Sequence, residues 1–285
     1  MTKHSATWLA PAKLNLFLHI TGRRVDGYHE LQTVFQLLDF GDELTVSNDQ
    51  SGALSLHLSA ESTISSMHMD NNLIAQAAQV LRAAAGKETL GARIDLVKRI
   101  PAGAGLGGGS SDAASTLLAL NQLWNLNFSK SELASLGLKL GADVPVFVRG
   151  QSAWAEGIGE HLQPVELPSR HFLVITPACQ VSTAEIFQHE DLTRNSPAIK
   201  IADFLGGRAR NDCESITRKL YSEVDEALNW LDQHAPARMT GTGSSVFASF
   251  DDFASAQSVL EKLPGQMTGF VAAGLNSLEQ RLSAT

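Results

Sequence analysis

The sequence predicts an α+β fold in which antiparallel strands and helices close a common core. Three observations carry that prediction. Runs with the period of two expected of half-buried strands recur from residue 13 to residue 273. Helical periodicity falls between those runs, so strands keep antiparallel company with helices and a doubly wound parallel sheet is the poorer fit. Finally, 285 residues, 44% of them hydrophobic, can bury a large core as one large or two modest domains. A change of texture near residue 155 divides the chain into 1–155 and 156–285.

In order along the chain, residues 13–20 alternate like a strand, and 31–38 form another after the Asp26-Gly27 turn. Residues 43–46 and 53–58 continue the pattern. Asn71 or Asn72 then caps an alanine-rich helix that Gly86 stops, with Leu73, Ile74, Ala77 and Leu81 on one face. Residues 92–98 return to strand alternation. Ser129 or Ser131 opens a helix that turns Leu133, Leu136 and Leu140 inward. Beyond Gly150, residues 152–156 and 171–176 read as strands, and the polar residues 188–199 as a surface loop. One helix is expected over 214–233, with Ile216, Leu220, Val224, Leu228 and Leu231 at spacings of three or four. A strand over 245–250, a helix over 252–263 and a strand over 269–273 complete the chain.

The stretch Pro101-Ala102-Gly103-Ala104-Gly105-Leu106-Gly107-Gly108-Gly109-Ser110-Ser111 stands apart from this pattern. Glycine buries no side chain and costs backbone entropy, so its density there serves no core. It does allow a backbone that turns tightly and brings several N–H groups within reach of an anion. A strand precedes it and a helix follows from Asp112, with Ser110 or Ser111 as the expected cap. Strand, glycine loop and helix N-terminus make a phosphate cradle. A Walker A loop would need a lysine after the last glycine, and Ser110 stands there. Gly103, Gly105 and Gly108 spell a dinucleotide fingerprint, but 125–130 lack the acidic residue that would bind ribose. A protein-kinase glycine loop would call for H-R-D and D-F-G segments, which are missing. An NAD(P)-binding oxidoreductase stays open as an alternative, as does a nucleotide-binding sensor without catalysis.

The net charge of −8 argues against an extended nucleic-acid surface, though not against one nucleotide ligand. No run reaches the ~18 apolar residues a membrane span needs, and residues 14–20 are too short for a signal peptide. Cys179 and Cys213 show neither metal spacing nor a disulfide framework, which suits reduced thiols in a cytoplasmic enzyme. Lys98-Arg99, just before the glycine loop, reads either as a cation for phosphate or as a solvated basic pair. Asp143 is a lone carboxylate in the apolar run 141–147, either a turn aspartate or an acid held for chemistry. Lys13, at the start of a strand beside apolar neighbours, is its natural counter-charge or an edge-blunting lysine.

The glycine loop resembles the ATP loop of the GHMP kinases, which phosphorylate small metabolites. Ala10-Pro11-Ala12-Lys13-Leu14-Asn15-Leu16 is similar to that family's first motif, and Met239-Thr240-Gly241-Thr242-Gly243-Ser244-Ser245-Val246-Phe247 to its third. Gly27-Tyr28-His29-Glu30-Leu31-Gln32-Thr33, Leu140-Gly141-Ala142-Asp143-Val144-Pro145-Val146-Phe147 and Asn211-Asp212-Cys213-Glu214 resemble the branch acting on 4-diphosphocytidyl-2-C-methyl-D-erythritol. The resemblance spans nearly the whole chain. It implies two domains with the active site in the cleft between them, ATP and Mg2+ as cofactors, and a monomer or homodimer. It also implies Asp143 as base and Lys13 as partner, and Pro101 to Ser111 with Asn72 and Lys98 on the nucleotide. On the substrate it implies Tyr28 and Phe187 on either side of cytosine, His29 hydrogen-bonded to the base, and Asn15 on the methylerythritol. Asp112 departs from the neutral residue frequent at its place, and is expected to point away from the phosphates or to help bind magnesium. The other magnesium ligands are left unassigned, with the Ser110 and Ser111 hydroxyls as candidates.

Overall fold

The computed structural model describes residues 5–63 and 72–279. The chain gathers into two compact units that are not contiguous in sequence. One comprises Met1–Ala12, Gly41–Ala102 and Gly107–Gly150; the other comprises Lys13–Phe40, Gly103–Leu106 and Gln151–Thr285. A single cut at 155 therefore differs from the structure for residues 13–40, 103–106 and 151–155. The reason is that two long strands, β1 (Ser5–Arg23) and β2 (His29–Asp49), contribute residues to both units. Separate strands over 31–38 and 43–46 merge into β2. At their junction Gly41 lies against the first strand, where an added Cβ would stand 2.3 Å from the Ala10 carbonyl.

In the first unit, Glu43 to Asp49 of β2 pair antiparallel with β4 (Gly91–Val97), and β3 (Leu54–Leu58) runs parallel on the other side of β4. Helices α1 (Leu73–Ala85), α2 (Gly108–Leu123), α3 (Lys130–Leu138) and α4 (Val144–Arg149) complete it, α1 packing on α2 and α4 on both α2 and α3. Ile74, Ala77 and Leu81 of α1 and Leu117 and Leu120 of α2 are fully buried, as the sequence period requires. Asn72 caps α1 by accepting from the Ile74 N–H at 2.9 Å; Asn71, the other candidate, lies outside the described residues. Ser129, rather than Ser131, caps α3 in a reciprocal box with Glu132.

In the second unit, β7 (His171–Pro177) runs between β10 (Met267–Leu275) and β9 (Val246–Phe250), with β8 (Arg238–Met239) beyond β9, all antiparallel. β5 (Ala153–Gly157) joins residues 31–35 of β2 to β6 (His161–Pro164). Five helices complete the unit: α5 (Thr183–Gln188), α6 (Ile201–Leu205), α7 (Glu214–Leu220), α8 (Ser222–Asp232) and α9 (Phe253–Leu260). Its core includes Leu173, Ile175, Val224, Leu228, Leu231 and Val246. The single helix expected over 214–233 is two. Tyr221 breaks it in an extended conformation, and its hydroxyl bonds the Glu185 carboxylate at 2.5 Å. Residues 189–199 are irregular as expected, yet Leu192 and Ser196 are buried, and the Ser196 N–H donates to the Ile20 carbonyl.

Candidate active site

The chemistry-bearing residues fall into two sets, one in each unit. In the second unit the lysine of the first motif is fastened to the glycine loop. The Lys13 N–H donates to the Leu106 carbonyl at 3.0 Å, and its ammonium donates to the Gly105 carbonyl at 3.1 Å and to Asn15 Oδ1 at 2.5 Å. Only 3% of Lys13 and 4% of Asn15 is exposed, and the ammonium lies 5.5 Å from the centre of the Phe35 ring. Asn15 in turn donates through Nδ2 to Thr33 Oγ1 and through its backbone to Thr240 Oγ1. The third motif grips the loop from another side. Thr240 Oγ1 bonds the Gly105 carbonyl, and the Ser245 N–H bonds the Ala104 carbonyl at 3.1 Å.

Gly105 is obligatory in this knot. Its φ is +75°, and a Cβ there would stand 2.5 Å from the Thr240 carbonyl and 2.9 Å from that of Gly243. Sequence reasoning matched the third motif but gave none of its residues a task; its threonines and glycines form the wall on which the loop rests.

The nucleobase candidates lie in the same unit. Tyr28 stands on the Asp26-Gly27 turn, 60% exposed, its N–H held by Asp26 Oδ1. The His29 and Phe187 rings stack on each other, centroids 5.0 Å apart and planes 28° from parallel. Phe187 also packs, half-buried, against the main core of the unit. Arg194, unremarked in the sequence, donates to His29 Nε2 at 3.2 Å.

In the first unit, the helix behind the loop starts earlier than expected. Gly107, at φ +72°, is the cap of α2, and the Ser111 N–H already bonds the Gly107 carbonyl. Ser110 and Ser111 therefore belong to the first turn and do not cap it. The left-handed glycines at 103, 105 and 107 bring the chain into the helix early. With no side chain capping α2, its first N–H groups lack partners within the helix and mark an anion site. Asn72 and Asp143 adjoin this end through their neighbours: a Cβ on Gly109 would lie 3.5 Å from Leu73, and one on Gly141 would lie 3.7 Å from Ser110 Oγ. Asp143 occupies the position before α4, yet its side chain makes no capping bond to that helix.

Lys98, expected on the nucleotide, is almost wholly buried and gives its ammonium to Asp42 Oδ2 at 2.5 Å and Asp112 Oδ2 at 2.7 Å. Asp42 Oδ1 receives the N–H groups of Arg99 and Ile100, fixing the approach to the loop. Asp112 is accordingly turned to Lys98, with Oδ1 buried and unpartnered, as is the neighbouring Ser111 hydroxyl. Burial pushes the Asp112 carboxyl up to about 7 against the pull of Lys98, with Asp42 adding to the rise. Burial also opposes the charge of Lys98, but Asp112 and Asp42 together hold it above the ordinary lysine value. Arg99 pairs instead with Glu43 at 2.6 Å. Cys213 is buried with its thiol pushed up to about 12, and Cys179 is also raised by burial; neither is a poised nucleophile. Among the described residues no cluster of His, Cys, Asp and Glu could hold a metal by itself, and no helix is long and apolar enough to cross a membrane.

Comparison with known proteins agrees with this arrangement. Residues 72–151 match the family described as GHMP kinases N terminal domain, and residues 188–268 match GHMP kinases C terminal. The 4-diphosphocytidyl-2-C-methyl-D-erythritol kinase of Alkalilimnicola ehrlichii is 55% identical over 95% of this chain and 91% of its own length. The Pseudomonas paraeruginosa enzyme of the same name is 54% identical over 94% and 93%. A crystal structure of 4-(cytidine 5'-diphospho)-2C-methyl-D-erythritol kinase superposes with a TM-score of 0.81 at 34% identity, covering 94% of this chain and 99% of that one. Homoserine kinase from Cytophaga hutchinsonii, at 16% identity and TM-score 0.65 over 97% and 96%, shares the fold alone. With the loop, its anchoring lysine and its third-motif wall all in the order this likeness requires, the chain belongs to the GHMP kinase family, among the 4-diphosphocytidyl-2-C-methyl-D-erythritol kinases.

Proposed function

We propose that the chain transfers the γ-phosphoryl group of ATP to the 2-hydroxyl of 4-diphosphocytidyl-2-C-methyl-D-erythritol, a cytoplasmic step of non-mevalonate isoprenoid synthesis. The observation that carries this reading is the fastening of Lys13 to the glycine loop through both its backbone and its ammonium. A cation fastened to the glycine loop itself is the kind of positioning that phosphoryl transfer demands.

In this reading the open N–H groups at the start of α2 hold the nucleotide phosphates, and the Ser110 and Ser111 hydroxyls are the side chains offered to Mg2+. Bound magnesium would neutralise charge on the transferring group. Asp143 accepts the proton of the 2-hydroxyl as its oxygen bonds to phosphorus. The bond from the γ-phosphorus to the bridging oxygen breaks, and ADP leaves. Lys13 offsets the negative charge that gathers on the attacking oxygen. Asn15, through Oδ1, orients the Lys13 ammonium and faces the sugar-alcohol end of the substrate. The exposed Tyr28 ring and the His29–Phe187 pair frame the cytosine.

The test is magnesium-dependent ADP release with the cytidylated substrate beside methylerythritol phosphate, homoserine and mevalonate. Turnover with the cytidylated compound alone is expected. Turnover with another acceptor would keep the loop and discard the base site, and nucleotide binding without turnover on any acceptor would favour a sensor.

A further inference from the structure

Arg194 lies in the irregular chain between α5 and α6, and its guanidinium makes four hydrogen bonds, three to carbonyls within seven residues and one to His29. Nη2 donates to the carbonyls of Phe187 at 2.9 Å and His189 at 2.8 Å, Nη1 to that of Leu192 at 3.2 Å, and Nε to His29 Nε2 at 3.2 Å. A guanidinium has five donors and no acceptor, so the ring nitrogen facing it must offer a lone pair. Burial first, and then the charges of Arg194 and Arg23, hold His29 below the ordinary histidine value, so the ring is neutral at pH 7 and carries a single proton. That proton is therefore on Nδ1, for which no partner is seen among the described residues. The same guanidinium holds the carbonyl of Phe187, whose ring stacks on the imidazole.

We propose that Arg194 is a positioning residue for base selection, locking His29 as a fixed Nδ1–H donor that accepts cytosine and rejects uracil. The inference rests on the reading of Tyr28 and His29 as the nucleobase site. N3 of cytosine offers a lone pair where N3 of uracil offers an N–H, so a donor that cannot change tautomer meets a partner in one base and a clash of donors in the other. Sites built around a hydrogen bond reject the unmatched analogue far more strongly than apolar pockets do.

The experiment is a two-bond proton–nitrogen correlation spectrum of the full-length chain labelled with 15N-histidine, with the His29 signals assigned by His29→Gln. The expected result is a protonated Nδ1 and a lone-pair Nε2 in the wild type. In Arg194→Met the proton should redistribute toward Nε2. KM for the cytidylated substrate should rise at least about tenfold, and the preference over its uridine analogue should fall by a similar factor. Arg194→Lys, which keeps a cationic donor and no acceptor, should restore much of the tautomer.

An Nε2–H tautomer in the wild type would overturn the proposal, and that spectrum needs no variant to fold. An unchanged tautomer in Arg194→Met would also overturn it, leaving Arg194 as a brace for the 187–192 carbonyls. The spectrum is read without substrate, so failure to use the cytidylated substrate would count against the function proposed above and leave the tautomer measurement standing.

Discussion

Lys13 and Lys98 are both nearly inaccessible, one fastened to the glycine loop and the other bonded to Asp112 just beyond it, and the hydrogen bonds seen at each differ in kind. Lys98 is clasped by the carboxylates of Asp42 and Asp112, and Asp42 spends its other oxygen on the backbone just before the loop. Lys13 bonds a carbonyl of the loop itself and the amide oxygen of Asn15, on a framework completed by Thr33 and Thr240. Lys98 compensates two buried acids; Lys13 reaches, among its partners, a carbonyl dipole of the glycine loop. The contrast teaches that burial of a cation beside a phosphate loop does not by itself say whether the cation serves the ligand or the fold.

Four measurements would break or sharpen this contrast, taken from the largest effect to the smallest. Lys13→Met and Asp143→Asn are each expected to lower kcat by about 10²–10⁴-fold, with ATP affinity in the Asp143 variant nearly intact. Near-normal turnover in either would remove that residue from the chemistry. Lys98→Met should instead act on stability. It strands two buried carboxylates, and urea unfolding should show a loss of about 3–5 kcal/mol, the usual cost of breaking a buried pair. A variant that stays stable but loses ATP binding would return Lys98 to the nucleotide and erase the distinction.

Within the loop, Gly105→Ala should weaken ATP binding far more than Gly103→Ala. Both glycines have positive φ, worth about 1–2 kcal/mol of strain, but only Gly105 would drive its Cβ into the Thr240 and Gly243 carbonyls. Equal effects would show that the third-motif wall is dispensable. The last measurement follows Asp112 through pH. Its carboxyl titrates higher in the fold than in the unfolded chain, so the fold takes up a proton between the two values. Its contribution to stability is full below the ordinary carboxylate range and is lost as pH rises toward about 7. Subtracting the stability–pH curve of Asp112→Asn from that of the wild type should leave this downward step. A flat difference, or an upward one, would mean that Lys98 keeps Asp112 ionised throughout.

The sequence exposed the α+β class, most strands and the glycine loop, because these rest on local patterns: alternation and glycine density. It gave no sign that α7 and α8 are separate, since the apolar spacing runs on unbroken past the extended Tyr221, whose hydroxyl bonds Glu185 far along the chain. The cap of α2 was misplaced because the preference of serine for caps yielded to the left-handed turn at Gly107. Asp42 and Arg194 escaped notice for a related reason. Their tasks are set by partners at Lys98 and His29, and nothing in the neighbouring residues marks them.

The interleaving of segments also bears on how the chain must be made. The stretch from Lys13 to Phe40 carries Leu14, Phe17, Ile20, Val34 and Leu37, all buried in the finished protein. These side chains belong with strands that reach to Leu275, so they leave the ribosome long before their partners exist. At roughly 5–20 residues per second the exposed interval lasts tens of seconds, long enough for an unpaired apolar strand to meet another chain. Cutting the protein at Gly150 would make that interval permanent. Each fragment should then be insoluble alone and recoverable only when the two are synthesised together.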